Sequence, residues 1–453
     1  MKRPEFLLSP FVRAGRPVRS RGTNGGANRL YPEDRAPHDW YRFVLSFPPQ
    51  LVRQYLQRFK LTGDNCVLDP FCGTGTTVVE CKKRAIPSIG VEANPMAFFA
   101  SQVKTDWTVD PQGLSRHANR VGAIVLEKLR ACGTDDEGTL ALFAEPETTR
   151  ARALLSLPHE AHKLLLAGSI SPIPLHKTLV LLSQLNEHQD PRYHRYELLA
   201  LAKALVTRIG NLHFGPEVGV GPAKEDAPVV GAWLGVVESM ARDLPELQPY
   251  KGVPTTIYHF DSRRILETLQ PNSIDAVITS PPYPNEKDYT RTTRLESVIL
   301  GFIRNKAELQ AFKKTFVRSN TRSVYKEDDD HTWVSSYPEI DRLAKEIEAR
   351  RIAMGKTSGF ERMYARVTKL YFGGMARHLA QLRAVLRPGA HLAYVVGDQA
   401  SYLRILIPTG RLISAIAKDL GYQLVSIDLF RTRLATATRQ QLREEVVVLR
   451  WPG

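Results

Sequence analysis

The chain has 453 residues, 43% hydrophobic and 24% charged, which is ordinary for a soluble globular protein and excludes a disordered or fibrous architecture. Sixty-two Lys and Arg against 47 Asp and Glu leave a net charge of +15, which favours a polyanionic partner, nucleic acid before a membrane surface. There is no signal-peptide core and no apolar run near the roughly 20 residues of a membrane span. The four cysteines, Cys66, Cys72, Cys81 and Cys132, show no CxxC spacing, so a reduced cytoplasmic protein without a metal site is expected.

In chain order, residues 1–30 carry seven Lys or Arg and one Glu and read as a flexible basic arm. From Trp40 to Phe59 the spacing of Val44, Pro48, Leu51, Val52, Leu56 and Phe59 predicts an amphipathic helix entered after Pro48 and Pro49. A strand, Cys66 to Pro70, a helix from Thr76 and a second strand, Ser88 to Ala93, follow. Residues 108–250 show helical patterns (Ala151 to Leu157, His162 to Ala167, Tyr196 to Arg208, Ala232 to Leu244) with no convincing strand, a helical insertion. Strands resume at Thr255 to Phe260 and Asp275 to Thr279, then at His391 to Val396 after the turn Leu386-Arg387-Pro388-Gly389. Tyr422 to Phe430 and Glu445 to Trp451 are expected to pair antiparallel. A second interruption, 284–365, begins with eight Lys or Arg and two Glu between Arg291 and Tyr325. The expected architecture is α/β: a doubly wound, Rossmann-like sheet built from 31–107 and 251–453, with an antiparallel end.

The first constellation is Asp69-Pro70-Phe71-Cys72-Gly73-Thr74-Gly75-Thr76-Thr77, two glycines one residue apart where a strand hands over to a helix. Glycine belongs there because the backbone must turn tightly and come within contact of a ligand. Glu92 closes the second strand, where a carboxylate can accept both hydroxyls of a ribose. The GxGxxG spacing of a dinucleotide site is absent, since position 78 is Val. S-adenosylmethionine, which has no pyrophosphate to cradle, is the better match: Asp69 would hold its cationic amino end, and Asp261 would accept from the adenine amino group.

The second is Thr279-Ser280-Pro281-Pro282-Tyr283, after a strand on the same sheet edge. An exocyclic base amine has its lone pair delocalised into the ring and becomes nucleophilic only when acceptors draw on its two protons. The Ser280 hydroxyl and Pro281 carbonyl are candidate acceptors; Pro281 and Pro282 stiffen the loop without an N–H to compete, and Tyr283 offers a face for an extruded base. Covalent attack at a ring carbon is excluded, because no cysteine lies after this strand.

With Trp40 to Phe59, Asp69 to Thr77, Glu92 to Asn94, and Thr279 to Tyr283 continued by Asp288-Tyr289-Thr290-Arg291, the chain resembles the DNA amino-methyltransferases of modification systems, which methylate cytosine N4 or adenine N6. The matching stretches cover roughly a quarter of it. The resemblance implies a class I S-adenosylmethionine-dependent methyltransferase sheet. It assigns the donor to Asp69, Phe71, Gly73, Gly75, Thr76, Glu92 and Asp261, and the base to Ser280, Pro281, Pro282 and Tyr283. It also implies double-stranded DNA and a cognate restriction endonuclease as partners. Serine before Pro-Pro-Tyr favours cytosine N4, with adenine N6, an RNA base amine and a non-catalytic DNA-binding role as alternatives. Arg291, Arg294, Lys313, Lys314, Arg318 and Arg322 are candidates to neutralise phosphates, or else a solvated charged face. Phe214-Gly215-Pro216-Glu217-Val218-Gly219 reads as a structural turn that could face the site, and Asp398 as a group shaping the pocket.

Overall fold

The computed structural model describes residues 30–43, 46–136, 154–214, 218–285, 287–400, 402–434 and 441–453. The expected basic arm lies outside them except for its last residue, as do Val44 and the start of the Ala151 to Leu157 pattern.

Pro49 occupies the first turn of α1 (Pro49–Arg58), where a missing N–H has no intrahelical partner to lose. Then come β1 (Val67–Asp69), α2 (Thr76–Lys82), β2 (Ser88–Glu92) and α3 (Pro95–Thr105), which is capped by Asn94 accepting from Met96 and Ala97 N–H. In the helical insertion lie α4 (Pro111–Ala131), α5 (Pro172–Glu187), α6 (His194–Ala204), β3 (Leu212–Phe214), β4 (Val218–Val220) and α7 (Val229–Leu247). Next are β5 (Thr255–His259), β6 (Ile274–Thr279), α8 (Arg294–Ile299), α9 (Lys306–Lys314), α10 (Pro338–Ala353) and α11 (Tyr364–Leu382). The chain ends with β7 (Leu386–Gly397), α12 (Thr409–Asp419), β8 (Gln423–Leu434) and β9 (Gln441–Arg450).

Seven strands form one sheet in the order β5-β2-β1-β6-β7-β9-β8, parallel through β7, with β9 antiparallel to β7 and β8 antiparallel to β9. This is a doubly wound, Rossmann-like α/β sheet with the expected antiparallel terminal hairpin. Both faces are covered, so the strands are apolar on alternate and intervening positions alike. On one face Val67, Ile278, Ala393 and Val448 meet Leu51, Val52 and Tyr55 of α1. On the other, Leu68, Val277, Leu392 and Val447 meet Val367, Tyr371, Phe372 and Leu379 of α11. The order of connection reverses between β1 and β6, and the crevice outside their carboxyl ends is the switch point where such sheets bind ligands.

Trp107, Val121, Val125, Leu181, Leu201, Trp233 and Met240 build a second apolar core under the helices of 108–250, shared with Trp40 and with α3. Three expectations need correction. The insertion contains a two-stranded hairpin, β3–β4, too short to carry a period-two signal. Its two longest early helices, α4 and α5, were not among the patterns read: α4 carries Leu114, Ala118, Val121, Val125 and Leu129 at helical spacing behind Asp110-Pro111, a signal passed over, while α5 is buried on most sides and shows no single stripe; only one turn, His159–His162, forms near the pattern placed at His162 to Ala167. Pro388-Gly389 is no free turn before β7. The strand already begins at Leu386, and its register with β6 shifts between the Ile274–Leu386 and Ala276–His391 pairs, so the dipeptide is a bulge with Gly389 at φ 89°.

Candidate active site

From the end of β1 the chain turns through Gly73 and Gly75 into α2, both glycines at positive φ (54° and 87°). They serve different ends. Nothing stands within 4 Å of a Cβ built at Gly73, which borders a cavity of about 370 Å³, a volume suited to a small ligand. A Cβ at Gly75 would instead meet Ser101 Cβ at 3.1 Å, so Gly75 allows the turn to pack on α3 and is not a cavity residue as expected. Phe71 and Thr76 do line the cavity, the Phe71 ring set edge-on to His378 at 4.9 Å.

Glu92, also in the wall, accepts from Gly73 N–H at 2.6 Å and from Asn94 N–H at 2.7 Å, one bond to each carboxylate oxygen. Its orientation is thereby fixed, by these bonds and by one from Ala93 N–H, with acceptor capacity left for a hydroxyl donor. Burial pushes its carboxyl up to about 7. Asp69 is fully buried immediately before Pro70, which lines the cavity. Its Oδ1 accepts from Phe71 N–H at 3.1 Å and from Thr279 Oγ1 at 2.6 Å, while Oδ2 has no partner, and burial lifts the group to about 6. A buried carboxylate oxygen left without a donor is costly unless a ligand completes it. Asp69 itself does not line the cavity, whereas the two residues after it, Pro70 and Phe71, do.

Ser280, Pro281, Pro282 and Tyr283, from the end of β6, line the same cavity. Ser280 Oγ donates to the Val395 carbonyl at 3.2 Å. With its one proton engaged there, the oxygen meets a ligand as an acceptor. Tyr283 is held by its N–H, which donates to Tyr289 Oη at 3.1 Å, and by Gly397, where a Cβ would lie 2.9 Å from Tyr283 Cε2. The close approach of the ring to β7 therefore requires glycine at 397.

Other expected site residues are placed elsewhere. The Asp261 carboxylate is engaged by Arg263 through Nε and Nη2, at 3.0 and 2.6 Å, and Arg263 in turn reaches Asp330 at 2.6 Å. Phe260 and Ser262 line the cavity; Asp261 does not, because a buried guanidinium needs its charge. Three of the six cations are structural for the same reason. Lys313 Nζ lies 2.7 Å from Asp288 in a buried pair; Arg318, 3% exposed, binds Asp328 and the Lys313 and Phe316 carbonyls at the end of α9; Arg294 is buried against Thr290. Arg291 and Arg322 line the cavity, and Lys314 is surface-exposed beside Glu327. Asp398 borders a separate cleft with Arg411 and Arg443. Phe214 and Val218 of the insertion hairpin do reach the cavity, although 215–217 between them lie outside the described residues.

Several wall residues were not legible in the sequence. Tyr41 donates to Glu296, a fully buried carboxyl raised to about 7 by burial whose Oε2 has no partner. Lys104, also fully buried and lowered to about 7 by burial, ties Tyr41 to the glycine turn through the Tyr41 and Thr74 carbonyls at 3.1 and 2.7 Å. Phe430, Arg431, Arg433 and Glu444 enter from β8 and β9. The single acid two residues after Arg294 in a basic run was the one available signal for Glu296; the hairpin residues carried none. Among the described residues no group of His, Cys, Asp and Glu could hold a metal, and no helix is long and apolar enough to cross a membrane.

A family model described as DNA methylase matches residues 20–102. Over most of its length the chain is similar to two Type II methyltransferases. It is 27% identical to M.BsoBI of Geobacillus stearothermophilus, covering 92% of this chain and 85% of that protein. It is 24% identical to M.AvaI of Nostoc sp. (strain PCC 7120), covering 94% and 88%. A shorter similarity, 39% over 67 residues and 15% of this chain, is to Type II methyltransferase M.MjaII of Methanocaldococcus jannaschii.

Proposed function

We propose that this chain, supported as a DNA amino-methyltransferase by its family match and its relatives, transfers a methyl group from S-adenosylmethionine to the exocyclic amine of a base flipped out of duplex DNA, with cytosine N4 the favoured acceptor. The observation that carries the reading is one cavity bordered by Gly73 beyond the end of β1, by Glu92 at the end of β2, and by Ser280 to Tyr283 beyond the end of β6, three neighbouring strands.

When bound, S-adenosylmethionine supplies an electrophilic methyl group. Glu92 is oriented to accept from ribose hydroxyls, the unpartnered Glu296 Oε2 in the cavity wall is an acceptor for a cation, and Asp69, buried next to the wall residue Pro70, is the second carboxylate proposed to act on that cation. Ser280 Oγ and the Pro281 carbonyl accept from the two amine protons, favouring a tetrahedral nitrogen, while Tyr283 stacks on the base. Catalysis then rests on positioning and on acceptors fixed before the reaction begins, with no protein nucleophile. Arg291, Lys314 and Arg322 of the 284–365 segment are the proposed phosphate contacts. A restriction endonuclease of matching specificity is the proposed companion, and the cytoplasm the proposed location.

The test is transfer of tritiated methyl from S-adenosylmethionine to duplex DNA and to RNA, with mass spectrometry of the product nucleosides. N4-methylcytosine in DNA supports the full reading and N6-methyladenine its coarser form. Label confined to RNA, or none despite bound donor, would overturn it.

A further inference from the structure

We infer that Arg433 contacts the flipped base and selects cytosine over adenine. The inference rests on Ser280 to Tyr283 being the base-binding loop.

The terminal hairpin does more than close the sheet. β9 runs back along β7, so that Glu444 is paired with Gly397 on one side and with Arg431 of β8 on the other. Gly397 is the residue that makes room for the Tyr283 ring, and a Cβ there would also meet Glu444 Cγ at 3.2 Å. Tyr283 and Glu444 thus stand side by side over one glycine. Arg431, Arg433 and Glu444 all line the cavity.

Glu444 is only 6% exposed and accepts from Arg431 Nε. Arg433 is tethered at one end, its Nη2 donating to the Asp398 carbonyl at 3.0 Å. Its Nε, buried and 3.4 Å from Glu444 Oε1, makes no hydrogen bond. The charge of Arg433 acts on both Tyr283 and Tyr289, the two rings that form the base end of the cavity. The Arg433 guanidinium is therefore held in the cavity wall near Tyr283 by the Asp398 carbonyl and the charge of Glu444; its buried Nε faces Glu444, which leaves the Nη1–Nη2 edge of the group for a ligand.

The acceptor order on the two candidate bases differs. Going round the ring from the reactive amine, cytosine offers N3 and then O2, two adjacent acceptors that match the parallel donors of a guanidinium fork. Adenine offers N1 and then a C–H. Against adenine one donor would face carbon and stay unpaired, which costs affinity in a buried site. A lysine keeps the charge but lacks the fork.

The experiment uses the full chain with S-adenosylmethionine and DNA free of prior methylation, comparing wild type with Arg433→Met and Arg433→Lys. Product nucleosides, kcat and KM for DNA, donor affinity by calorimetry and melting temperature are all measured. The expected result is N4-methylcytosine from wild type and a kcat/KM for DNA lowered about tenfold or more in Arg433→Met, with an intermediate loss in Arg433→Lys. Donor affinity and melting temperature should hold in both. N4-methylcytosine made by Arg433→Met within about twofold of the wild-type rate sinks the role of Arg433 and leaves the proposed function standing. If Arg433→Met melts early, Arg433→Lys decides, and wild-type turnover in it overturns the inference. N6-methyladenine as the sole wild-type product overturns the choice of cytosine itself.

Discussion

Thr279 Oγ1 donates to Asp69 Oδ1 at 2.6 Å, joining the ends of two neighbouring parallel strands. One strand leads into the glycine turn and the other into Ser280-Pro281-Pro282-Tyr283, so this buried bond, with the strand pairing and the Thr77 hydroxyl on the Ile278 carbonyl, ties the proposed donor and acceptor sites together. Thr279→Val keeps the shape and removes the bond, leaving the Asp69 carboxylate with one donor fewer. S-adenosylmethionine affinity is expected to fall about tenfold, the equivalent of about 1–2 kcal/mol for a hydrogen bond to a charged group, as measured by calorimetric titration. Unchanged affinity would remove Asp69 from the donor site.

Burial raises Asp69 to about 6 and Glu92 to about 7. The folded, ligand-free protein therefore holds these protons more tightly than the unfolded chain, and their contribution to stability declines as pH rises from about 4 to about 7. A cation at Asp69 prefers the carboxylate, so donor binding should strengthen over the same window and level off above it. The rise in melting temperature on adding S-adenosylmethionine should be larger at about pH 8, above that window, than at about pH 5.5, near its middle. Equal rises at the two pH values would mean that neither carboxylate senses the donor.

Ser280→Ala and Tyr283→Ala should each abolish methyl transfer and largely spare donor binding, since both belong to the proposed acceptor side. Gly397→Ala should lower turnover without altering a reacting group, because its Cβ would arrive 2.9 Å from Tyr283 Cε2. Single-turnover rates alongside calorimetry separate the effects. Full activity in both Ser280→Ala and Tyr283→Ala would end the catalytic assignment.

The cations of the 284–365 segment should divide into two classes. Lys313→Ala strands the buried Asp288 carboxylate and should destabilise the fold by about 3–5 kcal/mol, read as a lower urea midpoint. Arg291→Ala and Arg322→Ala should leave that midpoint unchanged, weaken DNA binding, and reduce the slope of log affinity against log salt by about one each. A salt slope unaltered in both variants would move the phosphate contacts elsewhere.

The fold was legible where the physics is local. Strands buried on both faces read as short apolar runs, Pro48-Pro49 marked a helix start, and Gly73-Thr74-Gly75 after an apolar run announced a tight turn, which borders the cavity at Gly73. The short hairpin β3–β4 was lost because three-residue strands leave no periodic signal, and α5 because it is buried on most sides and shows no single apolar stripe, whereas the start and apolar spacing of α4 were there to be read.

By itself the sequence determined the sheet and the two strand-end turns that come to line one cavity, since each turn is a contiguous run whose backbone and side chains act together. Only the tertiary structure decided which charges are available. Six cations look alike in a row of letters, yet Lys313, Arg318 and Arg294 are drawn inward by Asp288, Asp328 and Thr290, as Asp261 is by Arg263, while Glu296 and Arg433 come to the cavity from distant segments. A buried charge must find its partner in space, and nothing in sequence spacing encodes that search.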